Sequence, residues 1–242
     1  MGCITMIASG KDGVGKSTVC ALLGEAFAAM GKKVLLIELE NGMRCLETFV
    51  GAGGSTIFDL ADVIGGRCSV ENAIAKSRVN ENLSVLYTAS RREDIANEQF
   101  PALVLSLAED FDHIIIDTDC SDSTLDAIGR IAMNSIVLTT ADPMGLRDAK
   151  YVADRLFSRS AANIRLLINR VDAALIKSGV LPNLDYCIDA VSAQLIGVVP
   201  QDTAIALATA KGSALPAKSL AATVFTSIAS RLDGVHVPLA VR

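Results

Sequence analysis

The sequence predicts an α/β fold, a single doubly wound and mostly parallel sheet with helices on both faces, and three observations carry the prediction. Short apolar runs recur along the 242 residues, longer helical patterns separate them, and a glycine-rich turn joins the first run to the first helix. The runs cover residues 3–8, 34–37, 83–87, 113–116, 135–138, 165–168 and 195–199. They are apolar on both faces, as strands buried between two helical layers must be. Helices are expected over 16–30, 57–65, 97–110, 146–158, 182–194 and 218–232. Strand and helix alternate, so right-handed crossovers wind the chain into one sheet, with ligands received at the carboxyl ends of the strands. No linker-like stretch, repeat or low-complexity tract interrupts the pattern, and residues 1–242 are expected to form one domain.

Composition narrows the function classes. With 51% hydrophobic residues the chain has material for one large core, and its net charge of −5 announces no basic face for nucleic acid. The six cysteines, Cys3, Cys20, Cys45, Cys68, Cys120 and Cys187, form no C-x-x-C pair, so they read as thiols of a reducing compartment and not as cluster ligands. The amino terminus lacks a basic leader, Met6 stands where a myristoylation pattern wants Ser or Thr, and no apolar run is long enough to span a bilayer. A cytoplasmic protein is expected.

The stretch "SGKDGVGKST", Ser9 to Thr18, contains G-x-x-x-x-G-K-[ST] in Gly10, Gly15, Lys16 and Ser17. A strand precedes it and an amphipathic helix follows, the context that the motif demands. The turn wraps Gly10, Lys11, Asp12, Gly13, Val14 and Gly15 so that backbone N–H groups point at a phosphate, helped by the positive end of the helix. Lys16 neutralises the β- and γ-phosphates, the Ser17 hydroxyl joins a Mg²⁺ shell, and Thr18 closes the loop. Asp117, an acid at the end of the apolar strand in "FDHIIIDTDC", is placed to hold Mg²⁺ through water.

A second lysine, Lys11, distinguishes this loop. Lys11-Asp12-Gly13-Val14-Gly15-Lys16-Ser17 resembles the deviant Walker A motif K-G-G-x-G-K-[ST] of the MinD/ParA superfamily of dimerising ATPases. That resemblance implies ATP, Mg²⁺ and an ATP-dependent homodimer in which Lys11 reaches the partner's phosphates, as an arginine finger does. Asp12 departs from the family glycine and sets a carboxylate beside phosphates.

Further matches point to the MinD branch and extend to about residue 215. "VLLIELENGMRCLETFVG" resembles the first switch, D-x-D-x-G-L-R-N-L-D, with Glu38 and Glu40 in place of the aspartates and Gly42, Arg44 and Leu46 retained. The resemblance assigns Glu38 to the magnesium shell and Glu40 to the attacking water. Each glutamate moves its charge by one methylene, which predicts slow turnover. The second switch, D-x-P-A-G in the family, here reads Asp117-Thr118-Asp119-Cys120-Ser121, without its proline and glycine. In "VLTTADPMGLRDAKYVADRL", Arg147, Asp148 and Ala149 match in place. Asn169 and Arg170 stand where the family recognises adenine, and Pro200 to Asp202 form the other wall of the base pocket.

The tail after Asp233 carries Pro238 and one basic residue, Arg242, too little for the basic amphipathic helix with which MinD proteins meet membranes. Leu220, Val224, Phe225, Ile228 and Leu232 instead make a stripe that packs a last helix on the sheet. Membrane association is then expected only through a protein partner. The implied function is a slowly hydrolysing ATP switch for division-site placement. The alternative is a degenerate relative, a nucleotide-binding scaffold positioning pili, flagella or other polar machinery. A DNA-partition role of ParA type expects a basic surface that the acidic balance does not announce.

Overall fold

A computed structural model of the chain describes residues 1–39, 44–54, 56–88, 98–118, 120–179 and 183–239. Its sheet contains β1 (Cys3–Ala8), β2 (Val34–Glu38), β3 (Ala75–Lys76), β4 (Leu83–Tyr87), β5 (His113–Asp117), β6 (Asn134–Thr140), β7 (Ile164–Val171) and β8 (Gln194–Pro200). The spatial order is β3-β4-β2-β5-β1-β6-β7-β8, and only the β3–β4 pair is antiparallel. All seven expected strands are present. The two-residue β3 is an addition, too short to leave a pattern in sequence.

Side chains alternate between two cores because successive strand residues face opposite ways. Ile4, Met6, Leu35, Ile37, Ile114 and Ile116 meet one helical layer. It is built from α3 (Leu60–Ile64), α4 (Val70–Ala73), α5 (Gln99–Leu107), α6 (Asp122–Ile128), α7 (Pro143–Ser158) and α9 (Leu184–Val191). Ile7, Leu36, Ile115 and Leu138 meet the other. There α1 (Lys16–Ala29), α2 (Cys45–Phe49), α10 (Thr203–Lys211) and α11 (Leu220–Leu232) pack. The short α8 (Ala173–Lys177) follows β7.

Helix limits follow from caps. Asp59 forms a capping box with Asp62, so α3 starts at Leu60 and leaves Ile57 exposed, inside the segment expected to be helical. Asn183 caps α9, and Ser192 in the left-handed region ends it before Gln194, which opens β8 where a helix end was expected. In α11, Phe225 and Ile228 are buried as the stripe requires, but Leu220 is half exposed. The bottom of the sheet is tied by His113, which stacks on Phe27 at 3.7 Å and whose Nε2 lies 3.0 Å from Asp233 Oδ1 at the end of α11.

Burial away from the site shifts the ionisation of an acid on α1. Glu25, on the inner side of α1, is pushed by burial to a pKa of about 7, and the Leu215 backbone N–H offsets this only in part. Its proton is held more tightly in the fold than in the unfolded chain. It therefore adds stability below about pH 4.5 that is lost as the pH rises through about 7. His113, pushed below the usual histidine range by burial against the pull of Asp233, slopes the other way. The difference between variant and parent is thus the quantity to read. Glu25→Gln is expected to raise the unfolding free energy relative to the parent by about 3 kcal/mol at about pH 8 and by much less at about pH 5, measured by urea denaturation.

Candidate nucleotide site

The loop from Ser9 to Thr18 leaves the carboxyl end of β1, the strand flanked by β5 on one side and β6 on the other. The Ser9 hydroxyl donates to the Lys11 carbonyl at 3.0 Å and accepts the Lys11 N–H at 3.2 Å, a local turn that bends the chain at its entrance. Gly15 has a φ of 98°, and a Cβ there would lie 2.6 Å from Asn169 Nδ2, so both backbone angle and close approach require glycine. A Cβ on Gly10 would lie 2.6 Å from the Asp148 carbonyl oxygen of α7. Gly13 has a φ of 74°, and nothing lies within 4 Å of its Cβ position. Lys16 is buried at the start of α1, Val14 is buried, and Thr18 is half buried one position beyond Ser17. No side chain caps α1, so its first-turn N–H groups face the loop.

Ser17 Oγ donates to Asp117 Oδ2 at 2.5 Å across the gap between α1 and β5. A hydroxyl and a fully buried carboxylate are thus brought together as hard oxygen donors, which is the donor chemistry that Mg²⁺ prefers. The glycine cradle, the buried lysine and this pair fit a Mg-nucleotide.

Glu38 is engaged at the start of α2. Its two carboxylate oxygens accept the backbone N–H groups of Cys45, at 2.9 Å, and Leu46, at 3.3 Å. The extra methylene lets the carboxylate reach the positive end of α2, where first-turn N–H groups hold it. In this arrangement it caps the start of α2. The neighbouring Arg44, at a φ of 46°, lays its guanidinium 3.7 Å above the Tyr87 ring and 3.6 Å from Glu47. Glu40 lies outside the described residues.

Lys11 Nζ lies 3.5 Å from Asp142 Oδ2, with its side chain 41% exposed. Its partner is Asp142 and not the adjacent Asp12, which is exposed. Asp142 caps α7 by accepting the Gly145 N–H at 2.9 Å and also accepts the Thr140 hydroxyl. Partial burial opposes its ionisation, but those hydrogen bonds and the Lys11 ammonium hold its carboxyl below the usual range.

Asn169 is brought to the loop, but as a strut. Its Nδ2 donates to the Val14 carbonyl at 2.7 Å and its Oδ1 accepts the Arg170 N–H at 2.9 Å, so the amide expected to read adenine is engaged with the phosphate loop. Arg170 sits in the left-handed region at a φ of 55°, in an irregularity between Ile168 and Val171 where β7 loses register with β8, and its side chain is exposed. Pro200 ends β8 opposite Val171, and Asp202 caps α10 by accepting the Ala204 N–H at 2.8 Å. These residues collect at one end of β7 and β8, with Asp202 turned to its own helix.

The CobQ/CobB/MinD/ParA nucleotide binding domain family matches residues 5–215. The chain belongs to this family. The septum site-determining protein MinD of Synechocystis sp. is 33% identical over 241 residues, covering 97% of this chain and 91% of that one. Among solved structures, the MinC:MinD cell division protein complex of Aquifex aeolicus aligns with a TM-score of 0.87 at 27% identity, covering 98% of each chain. MinD complexed with Mg-ADP from Pyrococcus horikoshii aligns with a TM-score of 0.82 at 26% identity, covering 96% of each.

Asp142 was not anticipated as the partner of Lys11, although the Asp-Pro pair that opens α7 is a readable capping signal. The Asn169 strut has a direct consequence. Asn169→Ala leaves the buried Val14 carbonyl without its side-chain donor and is expected to lower the unfolding free energy by about 1–3 kcal/mol in urea.

Proposed function

We propose that this chain is a MinD-type ATPase switch acting in division-site placement: it binds Mg-ATP, pairs with a second copy and hydrolyses ATP slowly. The observation that carries this reading is the phosphate loop with Lys11 at its mouth, joined to the Ser17–Asp117 pair. Lys16 and the loop N–H groups would hold the phosphates, and Ser17 and Asp117 would hold the Mg²⁺. When bound, the metal would supply positive charge against that developing on the phosphates during transfer. Asn169 keeps the loop in shape by holding the Val14 carbonyl, while Pro200 and the exposed Arg170 border the space assigned to the base. Glu40 keeps its assignment beside the attacking water, and Glu38 supports it indirectly by fixing α2 to the end of β2.

In the isolated chain Lys11 rests against Asp142. Its assigned task is to leave that carboxylate and meet the phosphates of a second copy, which makes pairing and hydrolysis one event. A protein partner would read the paired state, and MinC, which accompanies MinD in the Aquifex aeolicus complex, is the model for such a partner. Among the described residues no helix is long and apolar enough to cross a membrane. The scaffold reading is not favoured, because the loop, its lysines and the Ser17–Asp117 pair are all in place.

Mass in solution tests the reading. Light scattering is expected to show a dimer with Mg-ATP and a monomer with Mg-ADP, and Lys11→Ala is expected to stay monomeric with both while still binding ADP. A parent whose mass ignores the nucleotide would falsify the switch. Because the Lys11–Asp142 pair is partly exposed, its removal has a small effect. Asp142→Asn keeps the α7 cap but drops the charge, and is expected to tighten ATP-dependent pairing about two- to fivefold in sedimentation equilibrium.

A further inference from the structure

Cys120 stands where the family's second switch carries alanine, and it is bonded on two sides. Its Sγ accepts the Ser9 N–H at 2.9 Å and lies 3.5 Å from the Thr118 hydroxyl. Its carbonyl accepts Arg155 Nη1 of α7 at 2.9 Å, and the other fork of that guanidinium is held by Asp122 at 2.6 Å. The residue sits in the left-handed region at a φ of 56°, a conformation that a side chain adopts only when its surroundings hold it there. Ser9, fixed from behind through its N–H, holds both backbone groups of Lys11 with its hydroxyl. A run of four hydrogen-bonded residues therefore joins the last turn of α7 to the backbone of Lys11.

The geometry points to Cys120 as a positioning residue for the Lys11 end of the phosphate loop, itself held in place by Arg155. A buried thiol that only fills space has apolar neighbours and is replaced by alanine with little local effect. Here alanine removes the acceptor of a buried backbone N–H, whereas serine retains one. Arg155 matters through its fork, since a lysine cannot hold Asp122 and the Cys120 carbonyl in the same fixed geometry. Only the kinetic consequence rests on the ATPase reading above; the placement of the loop does not.

Two readouts are needed. In the nucleotide-free chain, amide hydrogen exchange followed by NMR is expected to quicken about tenfold at Ser9 in Cys120→Ala, with Lys11 quickening in the same direction, and Cys120→Ser is expected to restore most of the protection. Arg155→Lys approaches the same carbonyl from α7 without altering the interior, and is expected to quicken the same two amides by less. Ser9 exchange that is unchanged in both Cys120→Ala and Arg155→Lys overturns the inference. In turnover, Cys120→Ala is expected to lower kcat about tenfold with KM for Mg-ATP within about twofold, because it misplaces a group that acts in the transition state. A rise in KM at constant kcat counts against positioning. A parent chain without ATP hydrolysis would defeat the functional reading alone, and the exchange of Ser9 would still decide this one.

Discussion

Because β1 runs parallel between β5 and β6, its carboxyl end opens at the point where the strand order reverses. The register fixes what meets there. Ile7 lies opposite Asp117, and the Thr118 N–H continues the ladder by donating to the Ile7 carbonyl at 3.2 Å. The acid is thereby level with the last turn of β1, one loop away from the helix that carries Ser17. A slip of one residue would point Asp117 at the opposite helical layer. The hydroxyl–carboxylate pair, and with it the fit to a metal-bound nucleotide, depends on this parallel pairing before it depends on any loop residue.

The loop is then gripped from two directions. From β7, Asn169 holds the Val14 carbonyl, and from the α7 side the contacts fall on Gly10 and Lys11, with Cys120 holding Ser9. These grips differ in strength. A buried amide bonded to a carbonyl is lost only with an unpaired acceptor left behind, whereas a partly exposed ion pair at 3.5 Å is readily exchanged. The loop is accordingly firm at Val14, where phosphates would be cradled. It is yielding at the Lys11 side chain, the group whose assigned task requires it to move.

The strands were legible because burial on both faces leaves uninterrupted apolar runs, and the phosphate loop was legible because glycine is required at Gly10 and Gly15. Helices of four or five residues, such as α2, α4 and α8, contain too little of a 3.6-residue period to register. Helix α6 follows a readable serine cap at Ser121, but its seven residues show only two buried positions. The side chains whose roles the sequence leaves open share one property. Asn169, Asp202 and Glu38 carry groups as well suited to a backbone N–H or carbonyl as to a ligand, and sequence does not say which is nearer. For Glu38 the two differ by a methylene, which is enough to turn the carboxylate toward α2.

The substitutions at the switches therefore have a common direction. Where aspartate stands in the family, Glu38 ties the first switch to its own helix, and where alanine stands, Cys120 ties the second switch to the phosphate loop. Glu38 reaches its N–H groups through an added methylene and Cys120 through an added sulfur, and both acceptors are spent on backbone N–H groups within the chain. Glu38 is thereby committed to fixing α2, while Cys120 fixes the end of the phosphate loop that carries Lys11. The two ties thus act on different parts of the proposed switch, the first on α2 and the second on the backbone of Lys11.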